Sequence, residues 1–158
     1  MTNFLKLVAC RFLPAWAVAF ALASIFHSSS VLLRLTQINV NLELSDWFFM
    51  LWQDALGLLP TYGVIIAVTL SLAFFITHFI LKRLCSSNAT HSPTSVRFLL
   101  FSAAGGLSFL LMLIAMQPIL NVTLIAGARS FSGTAAQCMA GVCAGFIYTY
   151  LSNKKPSN

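Results

Sequence analysis

Charge is what this chain has least of. Only 8% of its 158 residues are charged, and only three, Glu43, Asp46 and Asp54, are acidic. A soluble domain carries about a quarter charged residues. A chain this poor in charge cannot cover a water-facing surface, so lipid must be much of its solvent. No carboxylate falls within a long apolar stretch. This argues against proton- or sodium-coupled transport, whose sites hold Asp, Glu or His near the bilayer midplane. The four cysteines, Cys10, Cys85, Cys138 and Cys143, include no CxxC pair, which removes zinc or cluster ligation. No HExxH, Gly-rich phosphate loop or paired carboxylate is present in a span. No catalytic residue, cofactor or metal site is therefore expected. The formal net charge is +6, but no basic stripe with interleaved aromatics accompanies it, so nucleic acid is not an expected partner.

What is abundant is apolar sequence, 59% of the chain. A spanning helix needs about 20 mostly apolar residues. Four stretches meet that length, at about 14–35, 60–81, 96–116 and 131–151. They predict an all-α, integral membrane four-helix bundle formed from one membrane domain. Pro14 and Pro60 are expected in first helical turns, where a missing N–H is tolerated. Pro93 and Pro118 are expected outside the spans. A lipoprotein-like Leu7-Val8-Ala9-Cys10 has no apolar run before it. The signal-peptidase-like Ala21-Leu22-Ala23 is followed by apolar residues as far as Leu33, so the first helix is expected to be retained.

The basic residues set an orientation. Lys6, Arg11, Lys82, Arg83, Arg97, Lys154 and Lys155 fall on one side of a four-span layout, and only Arg34 and Arg129 on the other. The positive-inside rule then places both termini in the cytoplasm. All three acids lie in the outer connection between the first two helices. There, residues 46–58 place Asp46, Gln53, Asp54 and Gly57 on one helical face, with aromatic and aliphatic residues elsewhere. That pattern predicts an outer amphipathic segment in the headgroup region, anchored by Trp47 and Trp52. Asp46 suits its start and Gly57 its end. Gln117–Ser130 is too apolar for an ordinary loop and is expected to lie along or dip into the bundle's outer end. Arg129 is expected to meet Asp46 or Asp54.

Two features inside the spans invite a site. His27 stands beside Ser28, Ser29 and Ser30, and is expected to bond across the bundle to Thr69 or Gln137 as interhelical glue. It lies roughly 15–18 Å from the depth of His78 at 1.5 Å per residue, so one haem iron cannot take both. In the last span, Gly133, Gln137, Gly141 and Gly145 form one stripe and Ser132, Ala136, Ala140 and Ala144 the next. Gly141 and Gly145 make a GxxxG. Small residues at this spacing let backbones approach closely. The stripe either packs the third and fourth spans within one chain or forms an oligomer seam.

Leu59-Pro60-Thr61-Tyr62-Gly63 and Ile125-Ala126-Gly127-Ala128-Arg129-Ser130 resemble segments of short four-span inner-membrane proteins of proteobacteria. The resemblance implies a bacterial inner membrane and supplies no activity or functional residue. The leading expectation is a non-enzymatic structural, assembly or accessory membrane protein. Its expected partners are membrane lipids and either a second copy or a membrane complex. A passive channel formed by oligomers, and an enzyme acting on lipid or quinone through His27, Arg129 or Asp54, are the alternatives.

Overall fold

The structure, a computed structural model, describes the backbone of residues 2–37, 44–87, 94–120 and 131–153, and the side chains of residues 10–30, 47–83, 94–116 and 131–153. The described chain is all helical. The helices are α1 (Thr2–Gln37), α2 (Leu44–Leu58), α3 (Val64–Ser87), α4 (Thr94–Leu120) and α5 (Phe131–Asn153), with a π-helical turn, Leu59–Gly63, joining α2 to α3. Helix is what lipid requires, because each backbone polar group must be satisfied within its own segment. Three stretches, Cys10–Ser30, Trp47–Arg83 and Thr94–Met116, are long and apolar enough to cross a membrane. α5 is more polar along its length, carrying three glycines, Gln137 and Thr149. It is sheltered by packing most extensively on α4 and next on α1.

Pro14 and Pro118 sit differently from the sequence expectation. α1 begins at Thr2, and Pro14 lies inside it. Pro14 has no N–H for the carbonyl of Cys10, but a helix in a protein-lined membrane environment tolerates that loss. Pro60 does lie in the first turn of a helical element, the π-helical turn Leu59–Gly63, but no break at Gly57 precedes it. The chain runs helically through Gly57, and the wide turn Leu59–Gly63 takes up the residue that cannot donate to the Leu56 carbonyl. Pro118 falls within the last turn of α4. The expected segment 46–58 is helical as α2. The 121–130 stretch, with Arg129 in it, lies outside the described residues.

Two side-chain layers tie the bundle together. In one, Phe12, Phe74, Phe101 and Tyr148 come from α1, α3, α4 and α5. Phe74 stacks on Tyr148 at 4.5 Å between ring centroids, and meets Phe101 edge-on at 5.7 Å and Phe12 at 6.3 Å. In the other, Gln137 joins α5 to Ala23 of α1 and to Tyr62 of the π-helical turn. On each of the three helices that both layers share, the two are separated by eleven or twelve residues, or about 17 Å at 1.5 Å per residue. The levels agree, so α3 and α5 both run antiparallel to α1 in matched register.

Between the layers α4 and α5 approach at backbone distance. A methyl group on Gly105 would strike the Gly141 carbonyl, and one on Gly141 would strike the Gly105 carbonyl and come within 2.7 Å of Phe109. A methyl group on Gly145 would strike the Phe101 carbonyl and the Ser102 backbone. The stripe Gly133, Gln137, Gly141, Gly145 is buried inside one chain. Gly57 has open space around it. Gly141→Ala or Gly145→Ala should therefore destabilise the bundle by about 1–3 kcal/mol through overpacking. Gly57→Ala should stabilise it by roughly 0.5–1 kcal/mol through helix propensity. Unfolding titrations in mixed micelles measure both, and equal effects at the three positions would refute the close approach.

Candidate functional site

The densest group of polar side chains is built where α1, α2, the π-helical turn and α5 meet. α1 contributes Ser24, His27 and Ser28 from neighbouring turns. α2 brings Asp54, the turn brings Tyr62, and α5 brings Gln137. Tyr62 and Gln137 are both about fully buried, at 1% exposure each. A glutamine at that depth must be paired on both ends of its amide. Its Nε2 donates to the Ala23 carbonyl at 3.0 Å, and its Oε1 accepts from the Tyr62 hydroxyl at 3.2 Å. One amide thus links three elements. Nearby, the Trp16 indole N–H donates to the Gly63 carbonyl at 2.8 Å, fixing the wide turn against α1.

Asp54 is held by α1. The Ser28 hydroxyl, itself buried, donates to Asp54 Oδ2 at 3.0 Å. Sequence reasoning missed this bond. The signal for it was the six-residue spacing between the end of α1 at Gln37 and the start of α2 at Leu44: residues 28 and 54 lie nine and ten residues from those two ends. The expected ion pair of Arg129 with Asp46 or Asp54 involves side chains outside the described residues.

His27 does not bond to either expected partner. The Thr69 hydroxyl donates back to Ile65 and Ile66 carbonyls and approaches the Met112 sulfur at 3.8 Å, while Gln137 is committed to Ala23 and Tyr62. Helical threonines bond to their own preceding turn when they can, and Thr69 does so while its one cross-helix contact is with Met112 and not His27. Among the described residues, two buried side-chain atoms lack a hydrogen-bond partner, His27 Nδ1 and Ser24 Oγ. Asp54 lies close enough to His27 to act on it electrostatically.

Serine, histidine and aspartate are therefore neighbours without forming a catalytic relay. In such a relay the acid orients the histidine and the histidine activates the serine. Here the serine donates directly to the acid, and the histidine ring nitrogen Nδ1 bonds to neither. No group of three or more His, Cys, Asp or Glu is placed to hold a metal among the described residues. His78 is exposed on α3, away from His27. The arrangement is a bracket that holds α1, α2 and α5 together, with one imidazole edge left over. No family model, curated protein or solved structure matches the chain.

The bracket makes a quantitative prediction. A double-mutant cycle of Tyr62→Phe and Gln137→Leu should give a coupling of about 0.6 kcal/mol, the usual size for an interhelical bond in a membrane. Gln137→Leu alone should destabilise by about 1–2 kcal/mol, because it strands a buried Tyr62 hydroxyl. Strictly additive effects in chemical unfolding would mean that the two side chains do not meet.

Proposed function

We propose that this chain is a non-enzymatic structural or accessory protein of a bacterial inner membrane, with both termini cytoplasmic, that engages a partner through its α1–α2 hairpin. The reading is carried by one observation, the exposed aromatic side chains of α2, together with the depth at which a bilayer centred on the bundle would leave them.

A hydrocarbon layer of about 30 Å, centred between the aromatic and glutamine layers, reaches about ten residues either way along each helix. It ends near residues 28 and 58 on the acidic side. Asp54 then stands about 6 Å past the hydrocarbon, within a headgroup zone of roughly 5–7 Å. α2 continues beyond it as a helix packed on α1. Phe48, ten residues past the edge, stands about 15 Å out. Phe48 is 74% exposed and Trp52 66% exposed, with Phe49 also exposed beside them. Water is a poor neighbour for such a patch, and exposed aromatic patches mark interaction sites.

The interior supports the same reading. Below the polar bracket, Ile66, Leu70, Phe109, Ala19 and Ala140 are buried and apolar. Among the described residues, the other buried polar side chains, Thr77, Ser108 and Thr149, donate back to carbonyls of their own helices, which weakens conduction through one chain. The leftover imidazole edge has no activated nucleophile next to it, which weakens catalysis.

Photo-crosslinking residues placed at Phe48 and Trp52 should give protein adducts in native membranes. The same residue at lipid-facing Leu72 or Phe75 should give lipid adducts only. Lipid adducts alone at Phe48 and Trp52 would defeat the accessory reading.

A further inference from the structure

At the end of the bundle opposite Asp54, two arginines, Arg11 and Arg97, flank Tyr148 from α1 and α4. Arg11 of α1 reaches α5, donating from its guanidinium to the Ser152 hydroxyl at 3.4 Å. Tyr148 lies one turn before Ser152 on the same face of α5. Arg97 of α4 stands one turn before Phe101, whose ring lies 5.2 Å from that of Tyr148. Arg11 and Arg97 are both near enough to Tyr148 for their charges to act on its hydroxyl. The chain's three acids, Glu43, Asp46 and Asp54, are all in or next to the α1–α2 hairpin at the other end. Among the described residues no Asp or Glu side chain lies at this end to neutralise the pair.

We propose that Arg11, Arg97, Tyr148 and Ser152 form a binding site for the phosphate of an anionic glycerophospholipid, set in the crevice where α1 and α4 flank α5. Four observations converge. Guanidinium groups bind phosphate oxygens by paired, charge-assisted hydrogen bonds. Ser152 accepts from Arg11 and keeps its own proton to donate, and the Tyr148 hydroxyl adds a second neutral donor. The depth suits a headgroup reached from below: in the layer centred as above, the hydrocarbon edge falls near residue 8 of α1 and residue 153 of α5, so Ser152 stands at the edge while Arg11 and Tyr148 start about 5–7 Å inside it and extend their polar ends outward. The walls are apolar, with Phe12, Phe98 and Phe101 on the elements that carry the arginines and Phe98 packed on Phe146 at 4.9 Å. Acyl chains can lie along such walls while the head is held. Basic pockets between spanning helices bind anionic headgroups in this way. Lys82 and Arg83 differ: both are exposed at the end of α3, where Arg83 lies over the Phe79 ring at 5.3 Å. They supply general surface charge, and not a pocket.

The proposal rests on the chain spanning a bilayer, but not on which end faces the cytoplasm. The test uses the full chain in phosphatidylcholine nanodiscs, titrated with phosphatidylglycerol and read by native mass spectrometry. Wild type should retain one phosphatidylglycerol saturably. Arg11→Gln with Arg97→Gln should weaken retention roughly ten- to thirtyfold, in line with two lost surface-layer charges. Lys82→Gln with Arg83→Gln should leave it within about twofold, since those side chains contribute only a screened field. Arg97→Lys guards against misfolding: it keeps the charge, loses the paired geometry and should fall between. Equal weakening in the Lys82/Arg83 variant, or none in the Arg11/Arg97 variant, would overturn the site. So would protection of wild type against thermal unfolding by inorganic phosphate alone equal to that by the lipid. A chain that stays soluble without detergent would fail the membrane reading itself, and is scored separately by partition.

Discussion

The approach of α4 and α5 at Gly105, Gly141 and Gly145 is the constraint on which the rest of this bundle depends. Lipid tails are as apolar as leucine, so helices in a membrane gain little by hiding apolar surface from their solvent. They associate through contact quality. Removing three side chains lets two backbones touch and places glycine Cα–H groups against facing carbonyls, contacts worth about 0.5–1 kcal/mol each. The Phe109 ring then closes over Gly141, while Gly145 lies against the backbone of Phe101 and Ser102. With α5 seated this way, its flanking faces are fixed in register against α1. The Gln137 amide meets Ala23 at one level and Ser152 meets Arg11 at another.

This register divides the molecule by chemistry. An aromatic layer sits toward the basic end and a hydrogen-bonded bracket toward the acidic end. Each polar group in the bracket has a mechanical role except His27 Nδ1 and Ser24 Oγ. Such an interior is built to hold a shape. The side chains that remain available are at the two ends: exposed aromatics on α2 at one and Arg11 with Arg97 at the other.

Much of the fold was legible because lipid imposes a simple rule. A long apolar stretch must be a helix, and the runs opening near Val96 and Phe131 correspond to α4 and α5. The small-residue stripe on α5 was legible for a similar reason, since glycine at four-residue spacing has few uses in a span other than close packing. The proline positions were legible only in part. Pro14 and Pro60 were read as helix starts, and only Pro60 lies in a first turn; the rule derives from settings where water competes for freed carbonyls. In lipid a break is more expensive than a missing bond, so α1 continues past Pro14 and a wide turn carries the chain past Pro60. For the same reason Gly57 does not end α2. The partner of His27 was also misread. Spacing along one helix gives the face of a residue, while its partner depends on register between helices, and register was set by the glycine contact elsewhere. Ser28 and Asp54, twenty-six residues apart, meet through that register and the short hairpin.

The most direct test of the account is the glycine contact in a bilayer. Solid-state NMR on glycine-labelled protein in lipid should show a dipolar contact between the Gly105 carbonyl and the Gly141 α-carbon. The contact should persist when labelled chains are diluted into unlabelled ones, because it lies within one chain. Its loss on dilution would make the stripe a seam between copies, and its absence in both samples would remove the close approach from which the register of the bundle follows.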